Sequence, residues 1–117
     1  MPKASKGLMM FSFSPNAKIF LYDKPTNMRK SFEGLCQLVE ETFSAKPTSE
    51  AFFIFINRRK DSMKVLYWDE DGLAIWYKRL EKGTFPRNKK TVLSRREFVM
   101  LLEGIIPKRL NRRYNKN

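Results

Sequence analysis

The sequence contains no histidine and a single cysteine, and both scarcities narrow the chemistry open to the protein. Without histidine there can be no Ser-His triad, Cys-His pair, imidazole acid–base group or His-ligated zinc. One thiol, Cys36, can form neither an internal disulfide nor a cysteine-based metal site. No uninterrupted apolar run approaches the roughly 20 residues of a membrane-spanning helix. The sequence therefore indicates no metal, no cofactor, no membrane contact and no common enzyme class.

The first residues also lack the features of an export signal. The apolar stretch at 7–11 is too short for the central part of a signal peptide, and Ser12 and Pro15 follow it closely. Because Cys36 has no disulfide partner within the chain, a reducing compartment is the expected location. We therefore expect a cytoplasmic protein, associated with the nucleoid if its partner is DNA.

Positive charge is the outstanding feature of what is present. The 117 residues include 24 Lys and Arg against 12 Asp and Glu, for a net charge of +12. Like charges in such excess repel one another in a compact chain and favour binding to a polyanionic partner, of which nucleic acid is the commonest. Hydrophobic residues make up 42% and include ten Phe, so the chain can also form a core. Composition does not distinguish DNA from RNA, or duplex from single strand, as the partner.

Charge and hydropathy divide the chain into three parts. They are a flexible basic arm at 1–17, a single compact domain at 18–107 and a disordered basic tail at 108–117. The length suits one domain and is too short for two ordinary ones.

Two helices are predicted within the domain. Apolar residues recur at helical spacing over 28–43, with Thr26 or Asn27 available as the N-cap. Ser94 and Glu97 form a capping-box pair, which predicts the start of a second helix.

The strands are predicted from short β-rich runs separated by turn residues. Four such runs occur, at 18–22, 51–57, 63–69 and 73–80. The last three are separated by five residues or fewer, which is too few for a parallel crossover. The predicted fold class is therefore α+β, a small antiparallel meander of three to four strands with two helices.

Basic side chains occur in groups in the predicted turns, at the strand ends and in the tail. Phosphate binding needs several mobile or forked cations, because affinity arises from the release of condensed counterions. One such group alone is typical of an ordinary solvated turn, whereas several on a chain of this charge favour binding. The predicted nucleic-acid contacts are Arg58, Arg59, Lys60, Lys64, Lys78, Arg79, Lys82, Lys89, Lys90, Arg95, Arg96, Lys108, Arg109, Arg112 and Arg113.

The acidic run at 69–71 is the single candidate for metal or acid–base chemistry. Two or three carboxylates can hold Mg²⁺, as nucleases require. The run is followed by Gly72, however, and Asp-Gly is a common tight-turn dipeptide. Asp61 lies in the neighbouring turn, at the opposite end of the middle strand. A hairpin turn is therefore favoured over a metal site, and Cys36 is interpreted as a core residue.

Aromatic residues at 67–68 and 76–77 lie on adjacent predicted strands and occupy both faces. On an open sheet, such rings can stack nucleic-acid bases. More often they pack in a core beneath helices, and this interpretation is favoured for most of the four.

Three ordered blocks of the sequence resemble a known family. They are 25–35, beginning Pro-Thr-Asn-Met-Arg, then 53–69 together with Gly72, and finally 75–85. Together the blocks are similar to the small TnpB-type accessory proteins that the second open reading frame of IS66-type bacterial insertion sequences encodes. The resemblance extends over about 19–105. Asn27 replaces the family's usual aspartate and Ser31 a usual glycine, so a chemical role for a carboxylate at position 27 loses support.

The resemblance implies a component of a mobile element that works beside a separate transposase and another accessory protein, without a known catalytic activity. The leading hypothesis is a DNA-binding factor that recognises element ends or the transposase–DNA complex. A second hypothesis is a protein–protein adaptor for the transposase. A third is a cryptic metal-dependent nuclease that uses Asp69 and Asp71.

Overall fold

A computed structural model describes residues 16–86 and 89–103. The described part contains two helices and five strands, which confirms the predicted α+β class. In chain order they are β1 (Lys18–Leu21), α1 (Phe32–Phe43), β2 (Ala51–Ile56), β3 (Ser62–Asp69), β4 (Gly72–Arg79), β5 (Val92–Leu93) and α2 (Arg95–Leu102). Most of the predicted arm and all of the predicted tail lie outside the described residues.

The five strands form one sheet in the order β4-β3-β2-β1-β5. The predicted antiparallel meander of β2, β3 and β4 is confirmed by their pairing. β1 differs from a meander strand, because it pairs with β2 in parallel, from Lys18 opposite Ala51 to Leu21 opposite Ile54. The segment between β1 and β2 contains α1 and is long enough for a parallel crossover. β5 was not predicted, because a strand of two residues is too short to show a period.

The first helix begins later than the sequence pattern predicts. Ser31, and neither Thr26 nor Asn27, is the N-cap, and its carbonyl accepts the Leu35 N–H at 2.9 Å. Asn27 instead stabilises a separate turn, in which its side chain accepts the Arg29 N–H at 2.8 Å. The predicted start at residue 28 was therefore wrong, because the apolar spacing continues through a turn that is not helical.

Helices cover both faces of the sheet. On one face, Leu35 and Val39 of α1 pack against Phe53, Phe55 and Leu66. On the other face, the cluster includes residues of α2 and of the sheet: Phe98, Leu101, Leu102, Phe52, Ile54 and Val65. This arrangement explains why β2 is apolar at every position instead of alternating, since both of its faces are buried.

The capping box at the start of α2 is confirmed and supports a stability prediction. The Ser94 hydroxyl accepts the Glu97 N–H at 3.1 Å, and a Glu97 carboxylate oxygen accepts the Ser94 N–H at 2.8 Å. Because α2 carries core residues, loss of its cap should weaken the whole domain. We expect Ser94→Ala to lower the free energy of unfolding by about 1 kcal/mol in urea denaturation. Ser94→Thr is the control and should retain most of the free energy of unfolding. An equal decrease in both variants would contradict a capping role.

Candidate functional site

An open cleft of about 740 Å³ lies at the end of the sheet where β2 and β4 finish and β3 begins. Three chain segments form its walls: residues 25–28, the β2–β3 hairpin, and the end of β4. Each segment belongs to a different one of the three sequence blocks described above. Blocks that are separate in the sequence therefore meet at one place in the fold.

Asn57 orders the hairpin that forms one wall. Its Oδ1 accepts the N–H groups of Asp61 and Ser62, both at 3.0 Å, and its Nδ2 donates to Asp61 Oδ1 at 2.8 Å. The hydrogen bond from Asn57 is the main cause that lowers the pKa of the Asp61 carboxyl. Arg58 and Arg59 lie between these residues and are exposed. The two guanidinium groups are thus carried by a turn that side-chain hydrogen bonds hold in place.

Residues 25–28 form a second wall and run beside the end of β2. The Thr26 N–H donates to the Ile56 carbonyl at 2.9 Å. Thr26 is 3% exposed, and its hydroxyl has no hydrogen-bond partner within the described part of the chain. Buried hydroxyls of this kind are uncommon, since most buried polar side-chain atoms have a partner.

Lys64 fixes this second wall to the sheet. Its Nζ donates to the carbonyls of Met28 and Lys30, both at 2.8 Å, and lies 5.0 Å from the centroid of the Tyr77 ring. The ammonium group therefore joins β3 to a turn more than thirty residues earlier in the chain. Such bonds from a charged donor are stronger than neutral ones.

The end of β4 forms the third wall. Tyr77 lies opposite Lys64 and Arg79 lies opposite Ser62 in the β3–β4 register. Both residues share the sheet face that α1 covers further along, because their positions alternate with Ile75. The Tyr77 side chain is 50% exposed at the cleft, and Arg79 is exposed as well.

Five of the predicted contact residues lie at or beside the cleft. Arg58, Arg59 and Arg79 line it. Lys60 and Lys89 line an adjoining hollow of about 370 Å³, which shares two lining residues with the cleft. The fold thus brings together cations that are up to about thirty positions apart in the chain.

Three other predicted contact residues bind protein groups instead. One is Lys64, described above. The second is Lys78, whose Nζ donates to the carbonyl of Leu102 at 2.8 Å, at the C-terminal end of α2. Lys90 forms an ion pair with Glu97 at 2.8 Å.

The remaining predicted contact residues lie away from the cleft or outside the description. Lys82 is exposed in the loop after β4. Arg95 and Arg96 begin α2, on the opposite face of the sheet from Tyr77. The four residues Lys108, Arg109, Arg112 and Arg113 lie outside the described residues.

Sequence reasoning missed three residues of this region. Lys24 lines the adjoining hollow beside Lys60, and Thr26 lines the cleft. Tyr77 was considered only with the other aromatic residues, of which Tyr67 is buried whereas Trp68 is 39% exposed. The alternation of Tyr77 with Ile75 and Arg79 along one strand was the available signal, since it places the ring on the same face as a cation.

The acidic run forms the tight β3–β4 turn that its composition predicted. Asp69 pairs with Gly72, so Glu70 and Asp71 are the two turn residues. Across residues 16–86 and 89–103, no three acidic or cysteine side chains gather closely enough to hold a metal ion. Cys36 packs partly against the core, and burial raises the pKa of its thiol. Within the same residues, no helix has the length and apolar character needed to cross a membrane.

Comparisons with known proteins extend over most of the chain. A model of the family described as IS66 Orf2 like protein matches residues 17–112. The uncharacterized protein y4jC of Sinorhizobium fredii is 32% identical over 108 residues, which cover 89% of this chain and 92% of that protein. The uncharacterized protein y4hO of the same organism is 29% identical over 100 residues, covering 82% and 87%. No solved structure matches. The family match includes all three segments that line the cleft.

The role of Lys64 in stabilising the fold can be measured separately from any role in binding nucleic acid. We expect Lys64→Met to lower the free energy of unfolding by about 2–3 kcal/mol, because two carbonyls lose a charged donor. Lys82→Met removes an exposed lysine of the same length and should change stability by no more than about 0.5 kcal/mol. Urea denaturation of both variants makes the comparison. Unchanged stability of Lys64→Met would show that its ammonium does not hold the turn.

Proposed function

Because this chain belongs to the family of IS66 Orf2-like proteins, we propose that it is a non-catalytic accessory protein that supports transposition by binding DNA at the cleft. The family match supports the role in an insertion sequence. The binding of DNA is inferred from the site itself. The element's transposase is the expected partner on the same DNA.

The observation that carries the proposal is the meeting of three exposed arginines at one cleft. Arg58 and Arg59 come from the β2–β3 hairpin, and Arg79 comes from the end of β4. A guanidinium group offers a planar fork of donors that matches phosphate oxygens. Because the three guanidinium groups lie on ordered segments, each phosphate contact costs less conformational entropy.

These arginines are available to an anion. Within residues 16–86 and 89–103, none of the three forms an ion pair with a protein carboxylate. The acidic residue nearest in the chain, Asp61, accepts hydrogen bonds from Asn57 and Ser62, and its charge attracts Arg59 without forming an ion pair. Lys60 and Lys89 in the adjoining hollow extend the positive surface beyond the cleft. Lys82 and the basic tail would add contacts that do not depend on DNA sequence.

The test is the salt dependence of DNA affinity for a double variant of the hairpin. Each phosphate contact removed should reduce the slope of log affinity against log salt by roughly 0.9 on duplex DNA, or 0.7 on a single strand. We therefore expect Arg58→Ala combined with Arg59→Ala to reduce the slope by up to about twice that amount. Fluorescence anisotropy over a series of salt concentrations measures it.

The matched control removes the same charge from the other end of the sheet. Lys18 begins β1, and Lys46 lies in the turn that leads into β2, so both are remote from the hairpin; both are exposed. Lys18→Ala combined with Lys46→Ala should leave most of the slope unchanged. Equal effects of the two double variants would mean that net charge, and not the cleft, determines affinity.

A second function is favoured by one feature of the sheet. β4 is an edge strand of eight residues, and such an edge can pair with an extended segment of another protein. On this alternative the protein is an adaptor for the transposase. It predicts that the variant lacking Arg58 and Arg59 still co-purifies with the transposase after nuclease digestion of bridging DNA. Loss of the complex on digestion of the wild-type sample would count against the adaptor.

A further inference from the structure

We propose that the cleft receives an unpaired DNA strand, with one base stacked on Tyr77 and adjacent phosphates bound by the cleft arginines. The inference rests on the proposed function and makes it more specific, because it names single-stranded DNA as the ligand. Three observations carry it: an exposed ring, a buried hydroxyl without a partner, and the concave shape of the site.

The Tyr77 ring is the first observation. Tyr77 is 50% exposed, although most aromatic residues of the sheet belong to the two core clusters. The Lys64 ammonium lies over one face of the ring, 5.0 Å from its centroid, so a base stacks on the other face. A phosphate backbone gains little from an aromatic face, whereas an unpaired base stacks on one. In a duplex, both faces of an internal base are already stacked on neighbouring pairs.

The Thr26 hydroxyl is the second observation. Thr26 lines the same cleft, and only 3% of the residue is exposed. Within residues 16–86 and 89–103, its hydroxyl has no hydrogen-bond partner. A buried hydroxyl without a partner is unfavourable in the free protein. Because Thr26 lines the cleft, a rotation of its side chain lets a base edge or a sugar–phosphate oxygen in the cleft supply the missing partner.

The shape of the site is the third observation. Proteins that read duplex DNA insert a projecting helix or β-ribbon into a groove. Here Tyr77 and Thr26 are among the residues that line a cleft of about 740 Å³ between three chain segments. This volume is within the range of pockets that hold small ligands. A single strand can place a base in such a cleft, whereas a duplex can reach only its rim.

The first experiment compares a labelled oligodeoxythymidine with a duplex of equal length by fluorescence anisotropy. We expect tighter binding of the single strand. Tyr77→Leu should lower single-strand affinity roughly tenfold, the size expected for loss of one stacked base, and should change duplex affinity much less. Tyr77→Phe retains the ring and should remain within about twofold of the parent. Trp68→Leu is the control, because Trp68 is a similarly exposed ring at the opposite end of β3.

The second experiment removes the hydroxyl without changing the size of the side chain. Thr26→Val should lower single-strand affinity severalfold while the melting temperature of the free protein stays the same or rises. A purely structural role of the hydroxyl predicts the opposite pattern, with a lower melting temperature and normal affinity of the folded protein. This variant also decides the case if Tyr77→Leu fails to fold.

Salt concentration separates the ring from the arginines. The effect of Tyr77→Leu should persist as salt rises, because stacking releases no counterions, whereas the effect of removing Arg58 and Arg59 should shrink. Equal affinity for both DNA forms, unchanged by Tyr77→Leu, would overturn the single-strand proposal and leave DNA binding at the cleft standing. Absence of binding to either form would overturn both proposals.

Discussion

The ammonium group of Lys64 is the interaction on which the candidate site depends. It joins β3 to the carbonyls of Met28 and Lys30, and so holds the turn that precedes α1 against the sheet. Next to this contact, the Thr26 N–H donates to the Ile56 carbonyl at the end of β2, and the same lysine lies on the Tyr77 ring. Within residues 16–86 and 89–103, Lys64 supplies the side-chain hydrogen bonds that join this wall of the cleft to β3.

Lys64 and Lys78 also show how a strongly basic protein uses part of its charge internally. The last carbonyl groups of a helix and some carbonyl groups in turns have no backbone donor, and the C-terminal end of a helix carries partial negative charge. Lys78 meets the carbonyl of Leu102 at such an end. A long side chain on a strand can reach such an acceptor while its stem covers apolar surface. Among the described residues, the cations that line the cleft are Arg58 and Arg59 of the hairpin and Arg79 at the end of β4.

The core determines where such a surface can form. Both faces of the sheet centre are covered by helices, so most large apolar side chains are buried. At the end of the sheet beside the β2–β3 hairpin, the cleft is lined by residues that belong to neither helix, and there polar, cationic and aromatic side chains occur together. This position also explains why the cleft includes parts of all three sequence blocks, since each block contributes a strand end or the turn beside it.

The amino-acid sequence determined the α+β class, the meander of β2, β3 and β4 and the capping box of α2, because each depends on residues close together in the chain. Family resemblance was visible in the sequence for the same reason, as ordered local blocks. Only the tertiary structure decided that β1 pairs in parallel with β2, that α1 begins at Phe32, and which basic residues face outward. Lys64 and Arg79 look alike in the sequence, yet one binds carbonyls more than thirty residues away and the other lines a cleft. Such long-range partners leave no periodic signal, so charge could be counted from the sequence but not assigned to a surface.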